Sequence, residues 1–235
     1  ITNVLGTEGV KYMLEDSKRV PVRFYFGAPP CVPASEFETG GAVIGVEELE
    51  ELFKLEEIKY LAEVMNFPAV INRDLEVIKK IELAKKYKKA IDGHAPKLRG
   101  LPLSQYISAG ISTDHESLDR DEALEKINLG MKIMIRKGSA ARNFDEFVTI
   151  IEDYPYDCMF CTDDINPKDL LKGHINLLVK RALEYEIDLM KVLRVSCVNP
   201  VLHYNLDVGL IQKGDPADFI VVDDLVNLNI LETYS

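Results

Sequence analysis

The chain has 235 residues, of which 47% are hydrophobic and 29% charged, with a formal net charge of −11. That length is enough for one large α/β core, and the composition is that of an ordinary soluble protein. The acidic balance argues against a nucleic-acid surface, which needs clustered Lys and Arg, and no apolar run reaches the roughly 18 residues of a membrane span.

Ile1 is not a start methionine, and Ile1–Gly6 reads like the middle of something; Asn227–Ser235 stops without an evident cap. A fragment is therefore expected. No signal peptide is visible. The chain has 4 cysteines, which in this length do not make a disulfide framework, so a reducing cytoplasm is expected.

Helix and strand patterns alternate along the chain. Glu8–Lys18 is predicted helical from Val10, Met13 and Leu14 at helical spacing, and Val22–Phe26 is a strand closed by Gly27 and Pro29–Pro30. Glu47–Leu55 is a helix, Ile58–Val64 a strand, and Leu75–Lys86 an amphipathic helix. The basic run Lys85–Lys89 suits that helix's C-terminus and needs no ligand. Ala90–Ile91 leads into Asp-Gly-His at 92–94, Leu103–Ala109 is a short helix, and Gly110–Thr113 leads into Thr-Asp-His-Glu at 113–116. Asp121–Leu129 is a helix with an acidic first turn, Lys132–Arg136 a strand, Phe144–Glu152 a helix, and Asp157–Cys161 the strand feeding Cys-Thr-Asp-Asp at 161–164. Helices follow at His174–Glu186 and Asp188–Val195, then a turn at Asp215–Asp218 and the apolar Phe219–Val222.

The rhythm favours a parallel sheet or barrel of the α/β class. About six strand–helix units are visible, against the eight of a closed (β/α)8 TIM barrel. The expected architecture is such a barrel, incomplete, with roughly its third to eighth strands present. An open doubly wound sheet is the alternative, but no Gly-rich phosphate fingerprint follows the first strand.

In such a barrel, residues at the carboxyl ends of strands face a shared mouth. His94, His115 and Asp163 hold such positions, and so does Glu63 within Leu61–Pro68. A carboxylate in an apolar strand is costly unless paired or on a metal. Each residue alone has an ordinary structural explanation; the four on different strands point to a metal site, with imidazole and carboxylate donors suited to zinc, iron or manganese. Glu116 and Asp164 follow candidate ligands directly and can bend into substrate space, while Arg136 and Ser139 end the next strand, where a buried ion pair and a helix cap are the alternatives. His174 reads as a capping or surface residue and His203 as structural. Cys158 and Cys161 form a lone C-x-x-C without the second pair of a zinc ribbon.

Several words are longer than chance spacing: AEVMNFP at Ala62–Pro68, IDGHAP at Ile91–Pro96, ISTDHE at Ile111–Glu116, MKIMIRKGSAA at Met131–Ala141 and MFCTDD at Met159–Asp164. With NVLGTEGVKYMLEDSKR at Asn3–Arg19, CVPASEFETGGA at Cys31–Ala42 and GDPADFIVVDDL at Gly214–Leu225, the chain resembles the bacterial adenine deaminases of the amidohydrolase superfamily over its whole length. The resemblance implies a barrel domain over 1–205 and, over 206–235, the start of a C-terminal β-rich return. It implies a binuclear divalent metal centre, manganese foremost with iron or zinc as alternatives. Glu63 then resembles the ligand shared between the metals, and His94 and His115 the histidines of the fifth and sixth strands. Asp163 resembles the eighth-strand aspartate, a ligand or near-ligand that shuttles the proton, so that Glu63 and Asp163 are the catalytic carboxylates.

The implied reaction is hydrolytic deamination of adenine to hypoxanthine and ammonia in purine salvage, a metal-activated hydroxide attacking C6. Glu116, Arg136 and Asp164 are the candidates for reading the purine ring. The expected partner is a small purine base, with no nucleic acid and no membrane, in a cytoplasmic homo-oligomer. The family centre also uses a His-x-His pair on the first strand, whereas the 4 histidines here are His94, His115, His174 and His203. Two other readings follow: an amidohydrolase acting on a cyclic amide or N-acyl group, and a catalytically inactive fragment.

Overall fold

A computed structural model describes residues 1–35, 37–140 and 142–235. Glu36 and Ala141, which fall inside two of the words quoted above, lie outside the described residues. The chain divides into two compact units, Ile1–Ser117 with Asn128–Met131, and Leu118–Ile127 with Lys132–Ser235.

The first unit holds helices α1 (Thr2–Leu5), α2 (Thr7–Ser17), α3 (Val46–Phe53), α4 (Phe67–Ile71), α5 (Leu75–Lys86) and α6 (Gly100–Ser108), and strands β1 (Phe26–Ala28), β2 (Ile58–Val64), β3 (Ala90–Gly93) and β4 (Thr113–Asp114). β1, β2 and β3 form a parallel sheet in that order. β4 follows β3 closely: Ser112 N donates to Ile91 O at 2.9 Å. The core between sheet and helices is built on Leu49, Leu52, Ile58, Leu61, Ile81, Leu103 and Ile111.

Local sequence explains the helix boundaries. The side chain of Asp74 caps α5, accepting from Glu76 N and Val77 N at 3.0 and 3.1 Å, while Lys85 and Lys86 lie in its last turn, where cations oppose the negative end of the helix dipole. Lys80, on the buried face of α5, donates to Pro30 O and Ile44 O at 2.9 and 2.8 Å, which satisfies an otherwise costly buried ammonium.

The second unit holds α7 (Arg120–Asn128, through Ile127), β5 (Lys132–Arg136), α8 (Phe144–Phe147), β6 (Cys158–Cys161), α9 (Pro167–Leu170), α10 (Ile175–Glu184), α11 (Leu189–Leu193), α12 (Asn199–Tyr204), β7 (Phe219–Val222) and β8 (Ile230–Tyr234). β5 and β6 pair in parallel, Ile133 against Cys158 through Arg136 against Cys161. β7 and β8 form an antiparallel hairpin. Phe144, Phe147, Ile150, Phe160, Leu178 and Val195 make its core. Neither unit by itself closes a barrel.

Three expectations are corrected. The strand expected at Val22–Phe26 starts at Phe26 and runs through Gly27. Gly27 is a strand residue because Tyr60 lies across it: a Cβ there would stand 2.4 Å from the Tyr60 ring. The helix expected at Phe144–Glu152 tightens after Phe147 into a 3-10 segment, Val148–Glu152. The helix expected to stop at Val195 passes through a π segment, Arg194–Val198, into α12. There the buried Asn199 amide donates to Pro155 O and Cys158 O at 2.7 and 2.8 Å, tying the irregular turn to β6.

Candidate metal centre

In the first unit the strands end together. Glu63 lies near the end of β2, His94 directly follows β3, and His115 directly follows β4. Their ligand atoms converge. His94 Nδ1 stands 3.0 Å from Glu63 Oε2, His115 Nε2 stands 3.1 Å from the same oxygen, and the two ring nitrogens are 3.4 Å apart. Glu116 brings a carboxylate oxygen to 3.8 Å from His94 Nδ1. All four side chains are partly buried.

Hydrogen bonds from His115 first and His94 second pull the Glu63 carboxyl down to about 2, against the opposing effect of burial. An ionised carboxylate and two imidazoles whose nitrogens face one point are the donor set of a divalent transition metal. The spacing fits as well. Atoms bonded to one ion at about 2.1 Å stand about 3.0 Å apart in octahedral and about 3.4 Å apart in tetrahedral coordination. The three observed separations cover that range, so Glu63, His94 and His115 form a ligand triangle sized for one ion.

Close packing sets this convergence. A Cβ on Gly93 would stand 2.4 Å from Thr113 O and 2.6 Å from Ile111 Cγ2, so only glycine lets β3 approach β4 this closely. Thr113 Oγ1 donates to Asp92 Oδ1 at 2.8 Å, satisfying two buried polar groups between the strands. The carboxylate of Asp114, fully buried, accepts from Ala95 N at 2.9 Å, Glu116 N at 3.2 Å and Ser117 Oγ at 2.8 Å. The Tyr106 hydroxyl donates to Val64 O at 2.7 Å and accepts from His94 N at 3.1 Å.

The second unit carries the other expected site residues. Asp163 follows β6 with a left-handed backbone, φ 54°. Its Oδ2 accepts from Arg136 Nη1 at 2.6 Å, and Arg136 is buried. Asp164 is exposed, and its carbonyl accepts from Ser139 N at 2.8 Å. Ser139 Oγ donates to Asp169 Oδ2 at 2.8 Å and accepts from Asn166 N at 2.9 Å, bracing the loop after β5 against the start of α9. Gly138 makes this possible, since a Cβ there would meet Thr162 O at 2.3 Å.

His174 Nε2 lies 3.3 Å from Thr162 Oγ1, and burial lowers its pKa. The 4 cysteines are free; Cys158 is buried, which pushes its thiol up to about 12 and leaves it a poor metal ligand. Tyr106 and Asp114 went unassigned in the sequence. The legible signal for Asp114 was a carboxylate inside a strand that otherwise reads as buried.

Residues 1–235 match the amidohydrolase family. Among curated relatives, the chain is 56% identical over 233 residues to an adenine deaminase of Sulfurovum sp. (strain NBC37-1), covering 99% of this chain and 44% of that protein. It is 52% identical over 235 residues to an adenine deaminase of Methanosarcina barkeri, covering 100% and 43%, and 53% identical over 234 residues to one of Salinibacter ruber, covering 100% and 43%. The chain thus spans less than half the length of these relatives. Among solved structures, a β-aspartyl dipeptidase from Fervidobacterium islandicum AW-1 superposes with TM-score 0.61 at 18% identity, over 80% of this chain and 57% of that one. A TatD homologue from Escherichia coli K12 superposes with TM-score 0.57 at 14% identity, over 85% and 83%. At those identities the likeness shows the fold alone.

Proposed function

The chain belongs to the amidohydrolase family, with its TIM-barrel-like fold, and from that premise we propose that the protein deaminates adenine hydrolytically to hypoxanthine and ammonia. One observation carries the proposal: the Glu63–His94–His115 triangle stands at the ends of three successive strands in a chain more than half identical to adenine deaminases. The parallel β–α units are assigned to roughly the third to eighth strands of the barrel, and residues 206–235, with the β7–β8 hairpin, to the start of a β-rich return.

Glu63, His94 and His115 would hold a divalent ion of a binuclear centre, manganese foremost. When bound, such an ion lowers the pKa of a water towards neutrality and so supplies a nucleophile at physiological pH. The chain's own groups do the rest. Glu63, kept ionised by its two imidazole partners, offers negative charge to cations. Asp163 is assigned the proton transfer, taking a proton from water and returning one to the departing amine. Its support is the family likeness and its place after β6, where Arg136 fixes the carboxylate. Glu116, Asp164 and Arg136 are assigned to the purine; for Arg136 this adds to its bond with Asp163. The protein is assigned to a reducing cytoplasm, in keeping with its free cysteines, as a homo-oligomer without nucleic-acid or membrane partners; among the described residues, no helix is long and apolar enough to cross a membrane.

The test is an assay of the purified, manganese-loaded protein on adenine, a cyclic amide and an N-acyl amino acid. Hypoxanthine and ammonia from adenine are expected. Turnover of an amide with none of adenine would move the substrate assignment to another amidohydrolase activity.

A further inference from the structure

The three candidate ligands are joined through their chain neighbours by two buried side chains. Glu63 is followed by Val64, whose carbonyl accepts from the Tyr106 hydroxyl at 2.7 Å. The same hydroxyl oxygen accepts from the backbone N–H of His94 at 3.1 Å. His94 is followed by Ala95, whose N–H donates to Asp114 Oδ1 at 2.9 Å. The other oxygen, Oδ2, accepts from the N–H of Glu116, which follows His115, at 3.2 Å. The result is one hydrogen-bonded path through the ends of β2, β3 and β4. Each link attaches at a ligand's own backbone or one residue past it.

We propose that Tyr106 and Asp114 are positioning residues that fix the spacing of the Glu63–His94–His115 triangle before a metal arrives. The proposal rests on the metal reading above and deepens it.

The physical case has three parts. Tyr106 and Asp114 are both fully buried, so their polar atoms have no water to fall back on, and breaking either set of bonds leaves unsatisfied groups. Strand pairing restrains the three only in part: the β2–β3 ladder ends at Val64 and Gly93. β4 is two residues long, and His94 and His115 lie just outside the ladders. Side-chain hydrogen bonds therefore add restraint beyond the ends of the ladder. Finally, metal binding is steep in ligand geometry, and supporting hydrogen bonds beyond the ligands themselves commonly change affinity by about 10–100-fold.

The two residues act differently. Tyr106 couples β2 to β3, so its loss should separate Glu63 from His94. Asp114 couples β3 to β4, so its loss should separate His94 from His115. Asp114→Asn is a sharp probe because an amide can accept at one end only: it can keep Ala95 N or Glu116 N as a donor, but not both.

The experiment is cobalt(II) titration of the intact protein, followed by its visible ligand-field spectrum, beside the thermal midpoint of the metal-free protein. Tyr106→Phe and Asp114→Asn should each weaken cobalt binding about tenfold or more and alter the spectrum of the cobalt-saturated protein, while the metal-free midpoint falls only by what the unpaired buried groups cost. Ser112→Ala serves as control. It removes a hydrogen bond to Ile91 O, 3.0 Å in the protein, at the far side of the same strand pair, and should leave the affinity unchanged. If His94→Ala abolishes cobalt binding but Tyr106→Phe and Asp114→Asn bind as the parent does, the positioning role is overturned and the metal reading stands. If the parent takes up no cobalt, both are overturned. Should Asp114→Asn fold poorly, Tyr106→Phe, which keeps the ring and its packing, decides the matter.

Discussion

Arg136 holds Asp163: its Nη1 donates to Oδ2 at 2.6 Å from a buried position at the end of β5. The carboxylate it fixes sits on a left-handed residue, a conformation that costs a non-glycine residue energy and is kept where the surroundings enforce it. Asp163→Asn preserves size and one acceptor oxygen for Arg136 while removing the base. In the active enzyme kcat should fall by about 10²–10⁴-fold, the usual scale of general acid–base work, with most of the metal retained. Asp164→Asn should act on KM if that side chain reads the purine. Steady-state kinetics of both variants check this; near-normal kcat in Asp163→Asn with loss in Asp164→Asn would reverse the two roles.

Metal removal is the second prediction. Chelation should abolish activity and manganese should restore it. His94→Ala and His115→Ala each delete one corner of the ligand triangle, and each should lower metal content at limiting metal, with a larger loss of affinity than the roughly 10–100-fold that a supporting hydrogen bond is worth. Elemental analysis of the purified variants is the measurement. Parent-level content in both would remove these histidines from the ligand set.

Much of this site was legible before any coordinates. Glu63, His94 and His115 could be singled out because polar donors at the ends of apolar strands are expensive unless they bind something. β2, α5 and β5 were bounded correctly, the two strands because β-rich residues mark them and α5 because its period is strong and its cap, Asp74, is explicit. Short elements were harder. α4 and α9 each open on an Asn whose side chain caps the first turn, at Asn66 and Asn166, with a proline in that turn. The signal was present, but five or fewer residues show no helical period. Gly27 was read as the end of a strand because glycine usually breaks one; across it lies the Tyr60 ring, a contact that no local pattern encodes. The contacts of Tyr106 and Asp114 were hidden for a related reason, although the carboxylate of Asp114 in a buried strand was itself a signal. Tyr106 partners backbone groups at the ends of β2 and β3, and Asp114 reaches the backbone of Ala95 besides its own neighbours Glu116 and Ser117; a backbone partner leaves no mark in side-chain spacing.

Gly93→Ala is the third prediction. The new Cβ would stand 2.4 Å from the Thr113 carbonyl and 3.0 Å from the Tyr106 hydroxyl oxygen. A backbone carbonyl cannot rotate away as a flexible side chain can, so β3 and β4 must part. Overpacking of this kind costs about 1–3 kcal/mol, and urea unfolding should show it as a lower midpoint with unchanged slope. Because the displaced strands carry His94 and His115, metal affinity should fall as well. Unchanged stability would mean that the strand ends are softer than their close approach implies.

The acid limb of stability supplies the last prediction. His203, on α12, has its pKa lowered from 6.5 to about 4, by burial first and by the charge of Lys132 second. Its ring also packs edge-on against Tyr204, centroids 4.7 Å apart. The folded protein therefore favours the neutral ring, while the unfolded chain takes up a proton near 6.5. Between those two values the unfolded state binds more protons, so stability rises with pH across that window. The contribution is fully present above about pH 6.5, is lost progressively as pH falls towards 4, and is flat below that. At about 1.36 kcal/mol per pH unit, the loss is bounded near 3 kcal/mol. His203→Asn removes the titrating group and should flatten this part of the curve, whatever its effect at neutral pH. Denaturant melts of both proteins from pH 4 to 8 measure it. If the difference in stability between the two proteins does not change with pH, His203 titrates in the fold as it does in the open chain, and burial is not what sets its protonation.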